Sequence, residues 1–139
     1  MINFFYESLE FELNEDRIIS WLQEVILSEG KKEGDINFIF CNDEYLLKIN
    51  QEFLAHDTYT DIISFDNSLG NELHGDVFIS KERVDENAGV FNVSWEDELR
   101  RVIVHGVLHF CGYKDKTEDE DRMMREKENE KLLMFHVER

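Results

Sequence analysis

Apolar residues recur along this chain at two spacings, which predict an alternation of strands and helices. Between residues 35 and 41, bulky apolar side chains stand at every second position, as on a strand with one buried face. Between residues 14 and 30, they follow the period of about 3.6 residues that is typical of an amphipathic helix. The helix is expected to bury one apolar stripe: Ile18, Trp21, Leu22, Val25 and Ile26.

The same two patterns divide the rest of the chain into short elements. In chain order, they predict a strand at 2–8, a helix at 43–55, and strands at 60–67 and 72–80 that form a hairpin. A short helix from 81, a helix after Ser94 and a last, lightly packed helix beyond 115 follow. The helix at 43–55 is expected to face the core with four residues: Tyr45, Leu46, Ile49 and Phe53. This order predicts an α+β fold in which about five helices cover one four-stranded sheet.

Composition indicates the general class of protein but not the reaction or the ligand. The 139 residues, 42% of them hydrophobic, suit a single domain over 1–139 with a real core. No apolar run approaches the roughly 18 residues that span a bilayer, and no basic-then-apolar leader begins the chain. Cys41 and Cys111 provide no disulfide framework and are expected to be free thiols. We therefore expect a cytoplasmic protein with no membrane partner.

The net charge is strongly negative, at −17. Phosphate backbones repel such a chain unless its few basic residues are gathered in one place. Charge alone therefore favours a partner other than nucleic acid.

A group of metal-binding residue types lies between 94 and 115. His105 and His109 are four residues apart in an apolar run, so that on a helix both imidazoles project from one face. Ser94 and Asp97 form a capping box that starts this helix. A turn after the second histidine, at Gly112, would bring Asp115 to the same ion. Three protein ligands with a fourth position for water are typical of a catalytic zinc site.

Each candidate also has a structural interpretation. Histidines at this spacing are often core residues, and an aspartate here could simply begin the acidic last segment. Glu98 would orient a ligand imidazole, or would be a first-turn acid that interacts with the helix dipole. The remaining candidates carry polar groups on apolar strands, where they would line a cleft or tie strand ends together: Asp61, Ser64 and Asp76. Among the other candidates, Cys111 is more often a buried thiol than a ligand, and of His56, His74 and His136 only His74 merits attention.

The spacing of the group is that of the metzincin metalloproteases, with Asp115 in place of the third histidine. The residue after the first histidine should then be the glutamate that acts as general base, but it is Gly106. Peptide hydrolysis is disfavoured unless another strand supplies a base. An anionic third ligand also weakens the Lewis acidity of the ion, which keeps manganese and iron open beside zinc.

The run HGVLHFCGYKD at 105–115 resembles the signature HGxLHLxGYDH of the YbeY family of ribosomal RNA maturation endoribonucleases. Residues 60–65, TDIISF, are similar to the family's TDVLSF, and residues 74–80, HGDVFIS, are similar to its LGDIxIS. Glu98 matches an acidic position seven residues before the first ligand. The likeness extends roughly from Ile49 to Lys127.

This resemblance implies a mixed sheet and a divalent metal, most simply zinc, held by His105, His109 and Asp115 as the catalytic group. It implies cleavage of single-stranded RNA during maturation of the small ribosomal subunit. The implied partners are ribosomal RNA and small-subunit ribosomal proteins, with no nucleotide cofactor.

The chain departs from the family pattern where an arginine usually lines the cleft, since Leu54 occupies that position. The usual prolines are also replaced, by Tyr59 and Asp66. A missing arginine removes a group that could clamp a phosphate. Three other cations are candidates to replace it: Lys114, Lys116 and Arg101.

Three hypotheses follow from the sequence. The first is a metal-dependent endoribonuclease, favoured by the open coordination position. The second is a ribosome-associated assembly factor with a metal site and little catalysis, favoured by Leu54. The third is a hydrolase of a peptide or small molecule.

Overall fold

A four-stranded sheet and five helices form the part of the chain that the structure describes. The structure is a computed structural model, which describes residues 1–54 and 60–137. The elements are β1 Ile2–Tyr6, α1 Glu15–Ser28, β2 Lys32–Cys41, α2 Asp43–Leu54, β3 Ile62–Asp66, β4 Glu72–Ser80, α3 Lys81–Phe91, α4 Trp95–Phe110 and α5 Glu118–Val137. His56 and Tyr59 lie outside the described residues, and the side chain of His136 is not described.

The sheet is mixed, which confirms the predicted fold class. Its strand order is β1-β2-β4-β3. β1 and β4 both pair with β2 in parallel, and β3 pairs with β4 in antiparallel. The last two strands form the predicted hairpin, in which Gly70 turns the chain with a φ of +60°. The hairpin places the start of β3 at an edge of the sheet, beside α4.

The main core lies between one sheet face and helices α1, α4 and α5. The stripe predicted for α1 is fully buried there, and Asn14 caps the helix by accepting the Arg17 amide. Phe38 and Phe40 of β2 meet Val77 and Ile79 of β4 in the same cluster. Strand alternation turns Cys41 and Ile63 to the other face, where α2 covers a smaller cluster.

Two predictions about helix packing are wrong. On α2, Leu46 and Ile49 are buried, but Tyr45 and Phe53 are 39% and 67% exposed, since each contacts the sheet through one ring, Phe78 and Phe65 respectively. The last helix, α5, is not lightly packed. It buries one residue per turn: Met124, Glu128, Lys131 and Phe135. Within the described residues, no helix combines the length and the apolar character needed to cross a membrane.

His74 has a structural role at the start of β4. Its Nδ1 accepts the amide N–H of Asp35 at 3.0 Å, and its Nε2 lies 2.6 Å from the carboxylate of Glu72. A Cβ at Gly34 would lie only 2.5 Å from this ring, so glycine is needed where β2 passes it. The imidazole thus joins β2 to β4.

Candidate metal centre and cleft

Helix α4 carries the two candidate histidines on a face that is separate from its core face. The helix starts as predicted, with the Asp97 amide donating to Ser94 Oγ at 3.1 Å. Leu99 and Ile103 are fully buried in the main core, whereas His105 and His109 are only half-buried. The core contacts therefore fix the helix while both imidazoles reach a cleft.

The structure brings His105, His109 and Asp115 together. The two Nε2 atoms are 3.0 Å apart, and Asp115 Oδ2 lies 3.2 Å from that of His105 and 3.3 Å from that of His109. Gly112 makes the necessary turn with a φ of +106°, a conformation that glycine adopts at no steric cost. One potential ligand atom from each residue thus lies within 4.8 Å of the others.

These separations suit a small tetrahedral ion. Nitrogen and oxygen ligands at about 2.0–2.1 Å from zinc lie roughly 3.3 Å apart along the edges of a tetrahedron. The three observed distances, from 3.0 to 3.3 Å, are close to that edge. The three side chains could therefore hold a small divalent ion together.

Each imidazole is oriented by a partner on its other nitrogen. His105 Nδ1 donates to Glu128 Oε2 at 2.6 Å, and His109 Nδ1 donates to the carbonyl of Tyr113 at 2.9 Å. When Nδ1 carries the proton, the lone pair of a neutral imidazole is on Nε2. Both lone pairs then point at the candidate metal position, as the outer partners of metal-binding histidines ensure.

Glu128 is the site residue that the sequence analysis missed. It is 4% exposed, and its other oxygen accepts from Arg101 at 2.9 Å. Burial raises the pKa of Glu128, but the hydrogen bonds from His105 and Arg101 outweigh burial and lower it overall. Burial likewise lowers the pKa of His105, but the bond to Glu128 and the surrounding carboxylates raise it overall. A charged Glu128 is thus well suited to hold the His105 ring in place.

The loop that carries Asp115 is tied to the end of α1. Tyr113 donates through its hydroxyl to Glu29 at 2.7 Å. Glu29 also pairs with Lys131 at 2.7 Å and with Lys127 at 3.4 Å, and Lys131 is only 2% exposed. This buried ionic group fixes Tyr113, whose carbonyl in turn orients His109.

The candidate ligands open into a cavity of about 350 Å³. Three further residues that the sequence analysis singled out also line this cavity: Asp61, Ser64 and Glu98. Burial raises the pKa of Asp61, and burial together with the charge of Asp61 raises the pKa of Glu98. Asp76 lies elsewhere, and its carboxylate accepts from Asn37 at 3.0 Å, which ties β4 to β2. Its strand-tying interpretation therefore fits the structure better.

The remaining candidate residues can also be divided into those that line the cavity and those that do not. Cys111 packs against the main core, and burial raises the pKa of its thiol to about 11, so it remains a neutral thiol. Of the three proposed substitute cations, Arg101 lines the cavity, but its guanidinium is already bonded to Glu128 and Asn129. Leu54, Lys114 and Lys116 are not among the described residues that line it.

Comparison with known proteins shows the family of this chain. A family model described as endoribonuclease YbeY matches residues 3–136. The chain belongs to the YbeY family. It is 62% identical over 139 residues to the endoribonuclease YbeY of Flavobacterium johnsoniae, with 99% of each chain covered. It is also 62% identical to that of Christiangramia forsetii, over 99% of this chain and 96% of the other.

A solved structure shows the same fold. The solution structure of a Thermotoga maritima protein superposes with a TM-score of 0.69 at 26% identity, over 97% of this chain and 89% of the other. The family model and the two relatives confirm the resemblance to the YbeY family noted from the sequence motifs.

Replacing Glu128 by glutamine will weaken metal binding. The amide presents one oxygen where the carboxylate serves both His105 and Arg101 with two, so one of these partners loses its acceptor. Loss of such an outer partner typically lowers metal affinity about 10- to 100-fold. Competition with a chromophoric chelator measures the affinity. Glu126→Gln, an exposed change on the same helix, is the control and should match the wild type.

Proposed function

We propose that this YbeY-family protein is a metal-dependent endoribonuclease that cleaves single-stranded RNA during maturation of small-subunit ribosomal RNA. The observation that carries the proposal is the convergence of His105, His109 and Asp115, at tetrahedral edge distances, on a cavity open to substrate. Family membership supports the choice of RNA as substrate.

Zinc is the proposed metal, because two imidazoles and one carboxylate with a free fourth position form a donor set typical of catalytic zinc sites. A bound divalent ion would supply an activated water and would polarise a phosphoryl oxygen. Manganese and iron remain alternatives for the same donors.

The residues of this chain then have distinct roles. We assign His105, His109 and Asp115 to metal binding and thus to catalysis. Glu128 and the Tyr113 carbonyl keep the Nε2 lone pairs directed at the ion. On the cavity wall, Asp61, Ser64 and Glu98 are proposed to contact the substrate. A carboxyl group whose pKa is raised, as for Asp61 and Glu98, more readily carries the proton that lets it approach a phosphate.

The proposed setting is the cytoplasm, with small-subunit ribosomal proteins as partners. An acidic chain of net charge −17 gains little from direct attraction to RNA. Basic ribosomal proteins are complementary to it in charge and would deliver it to the RNA.

Purified protein with added zinc or manganese will cleave a single-stranded RNA and leave a duplex of the same sequence intact. Cleavage should stop on chelation and return when the metal is restored, because the ion supplies the activated water. Gel analysis of end-labelled RNA measures the strand preference and the metal dependence of cleavage. Cleavage that persists in excess chelator would contradict a metal-dependent mechanism.

The second candidate is an assembly factor that binds RNA with little catalysis. Leu54 at the usual arginine position and the acidic cavity wall favour it. Metal-dependent binding of the same RNA, measured by fluorescence anisotropy, without cleavage in the gel assay would place this function first.

A further inference from the structure

The cavity at the metal group adjoins a second groove along α5. This groove has a volume of about 550 Å³. Four residues line both spaces: Phe91, Glu98, Arg101 and Arg125. Beyond them the wall is mixed, with three apolar and two polar residues: Val93, Leu132, Leu133, Asp97 and Asn129. Because they share these walls, the two spaces adjoin, and together they are called the path, which begins at the candidate ligands.

Phe91 is an exposed aromatic residue at the junction of this path. It is the last residue of α3 and is 56% exposed. Its neighbour Val90 is even more exposed, at 73%, but lines neither space. Flat aromatic side chains on the path of a strand are the usual platforms on which unpaired bases stack. Phe91 therefore has the position and the chemistry of a base platform.

Arg125 is the cation best placed to meet a phosphate on the same path. Its side chain is 55% exposed, and its NH1 lies 3.7 Å from Glu128, a loose pairing. Arg101, by contrast, has short bonds to Glu128 and Asn129. Arg125 can turn towards a ligand without leaving a buried carboxylate unpaired, because Arg101 still holds Glu128.

The charge around the path limits how many phosphates it can attract. The first cavity is lined by five carboxylates and two arginines: Asp61, Glu98, Asp115, Asp121, Glu128, Arg101 and Arg125. The protein as a whole carries a charge of −17. Affinity for a strand must then come mainly from its bases, with few phosphate contacts.

We propose that a nucleotide of single-stranded RNA, next to the one at the metal group, binds at this junction with its base stacked on Phe91 and its phosphate paired with Arg125. This inference rests on the proposed function, since RNA is the substrate there. It assigns the recognition of the strand to base stacking, and it gives Arg125 the phosphate-binding role that Leu54 cannot fill.

Binding of a short phosphorothioate RNA, followed by fluorescence anisotropy with the metal-loaded protein, tests the stacking. Phe91→Ala should raise the Kd about 5- to 150-fold, the usual effect of removing one stacking partner. Phe91→Tyr should bind like the wild type, and so should the exposed control Val90→Ala. Phe91→Leu keeps the size without the aromatic plane and should bind weakly, which separates stacking from folding.

An RNA that lacks one base extends the test to the ligand. At the stacking position, the abasic RNA should bind the wild type as weakly as intact RNA binds Phe91→Ala, and the two changes together should cost no more than either alone. With one or two phosphates contacted, log K should fall with log salt at a slope of about −0.7 to −1.4, and Arg125→Gln should make that slope shallower by about 0.7, the share of one phosphate.

Equal binding by wild type and Phe91→Ala would overturn the inference while leaving metal-dependent cleavage intact. A salt slope of about −3 or steeper would also overturn it, because four or more phosphates would then carry the affinity. If the wild type binds no RNA, the inference falls, and the cleavage assay decides the proposed function separately.

Discussion

The double variant His105→Ala, His109→Ala will lose its metal. The wild type should purify with close to one divalent ion per chain, whereas the variant keeps only Asp115 of the three ligands. A single half-exposed carboxylate does not hold zinc at micromolar concentrations, because affinity depends on several converging donors. Elemental analysis after dialysis measures the loss, and RNA cleavage should disappear with the metal.

Thermal unfolding gives a second measure of the same loss. An ion that binds only the folded protein adds about 2.7 kcal/mol of stability at one hundred times its Kd. Added zinc should therefore raise the Tm of the wild type and leave that of the double variant unchanged. Both histidines are only half-buried and Glu128 keeps its bond to Arg101, so the variant should still fold.

Cys111→Ser is the matched control for this experiment. The thiol lies between the ligands in sequence but packs against the core in the structure. The serine variant should therefore keep its full metal content. Metal-free wild type, or a double variant that retains the ion, would contradict the assigned ligands.

The convergence of the three candidate ligands was predictable because its signal is local in sequence. His105 and His109 lie one turn apart on a helix with a defined cap, and Gly112 supplies the turn for Asp115. Such relations depend on helix geometry and on the backbone freedom of one glycine, and both can be inferred from spacing. The strand pattern of 35–41 and the hairpin of β3 and β4 were predictable for the same reason.

Glu128 was not predictable, because its role depends on partners far away in sequence. It lies in a segment rich in charged residues, and a run of charges normally marks a solvated helix face. The only signal was a helical spacing of Met124, Glu128, Lys131 and Phe135, in which two of the four residues are charged. Their burial is tolerated because Arg101 and Glu29 supply opposite charges.

The exposed residues of α2 show a second limit. Tyr45 and Phe53 fit the helical stripe, but the stripe says nothing about how much of the helix the sheet covers. Each contacts one ring of the sheet, Phe78 for Tyr45 and Phe65 for Phe53, yet each keeps much of its surface exposed. The local sequence pattern indicates which face of a helix is apolar, but it does not indicate how much of that face the rest of the protein covers.

The glycine after the first histidine is a packing residue, which explains the departure from the metalloprotease pattern. A Cβ at Gly106 would lie 3.1 Å and 3.3 Å from the two methyl groups of Val77 and 3.4 Å from Ile62. Position 106 therefore faces the sheet, whereas His105 and His109 face the cleft. A base placed there would point away from the metal, so this chain gains nothing for peptide hydrolysis from an acidic residue at 106.

Gly106→Glu, which restores the metalloprotease pattern, will therefore destabilise the protein and confer no peptidase activity. The substitution forces a carboxylate between α4 and Val77, where an unpaired buried charge costs about 3–5 kcal/mol. Out of a typical free energy of unfolding of about 5–15 kcal/mol, such a loss should lower the Tm by roughly 10 °C or more or leave the chain insoluble.

Gly89→Glu is the matched control, since Gly89 is also helical but has nothing within 4 Å of its Cβ position. It should keep or slightly raise the Tm, because glycine inside a helix costs about 1 kcal/mol. A Gly106→Glu protein that melts like the wild type would show that position 106 does not face the sheet.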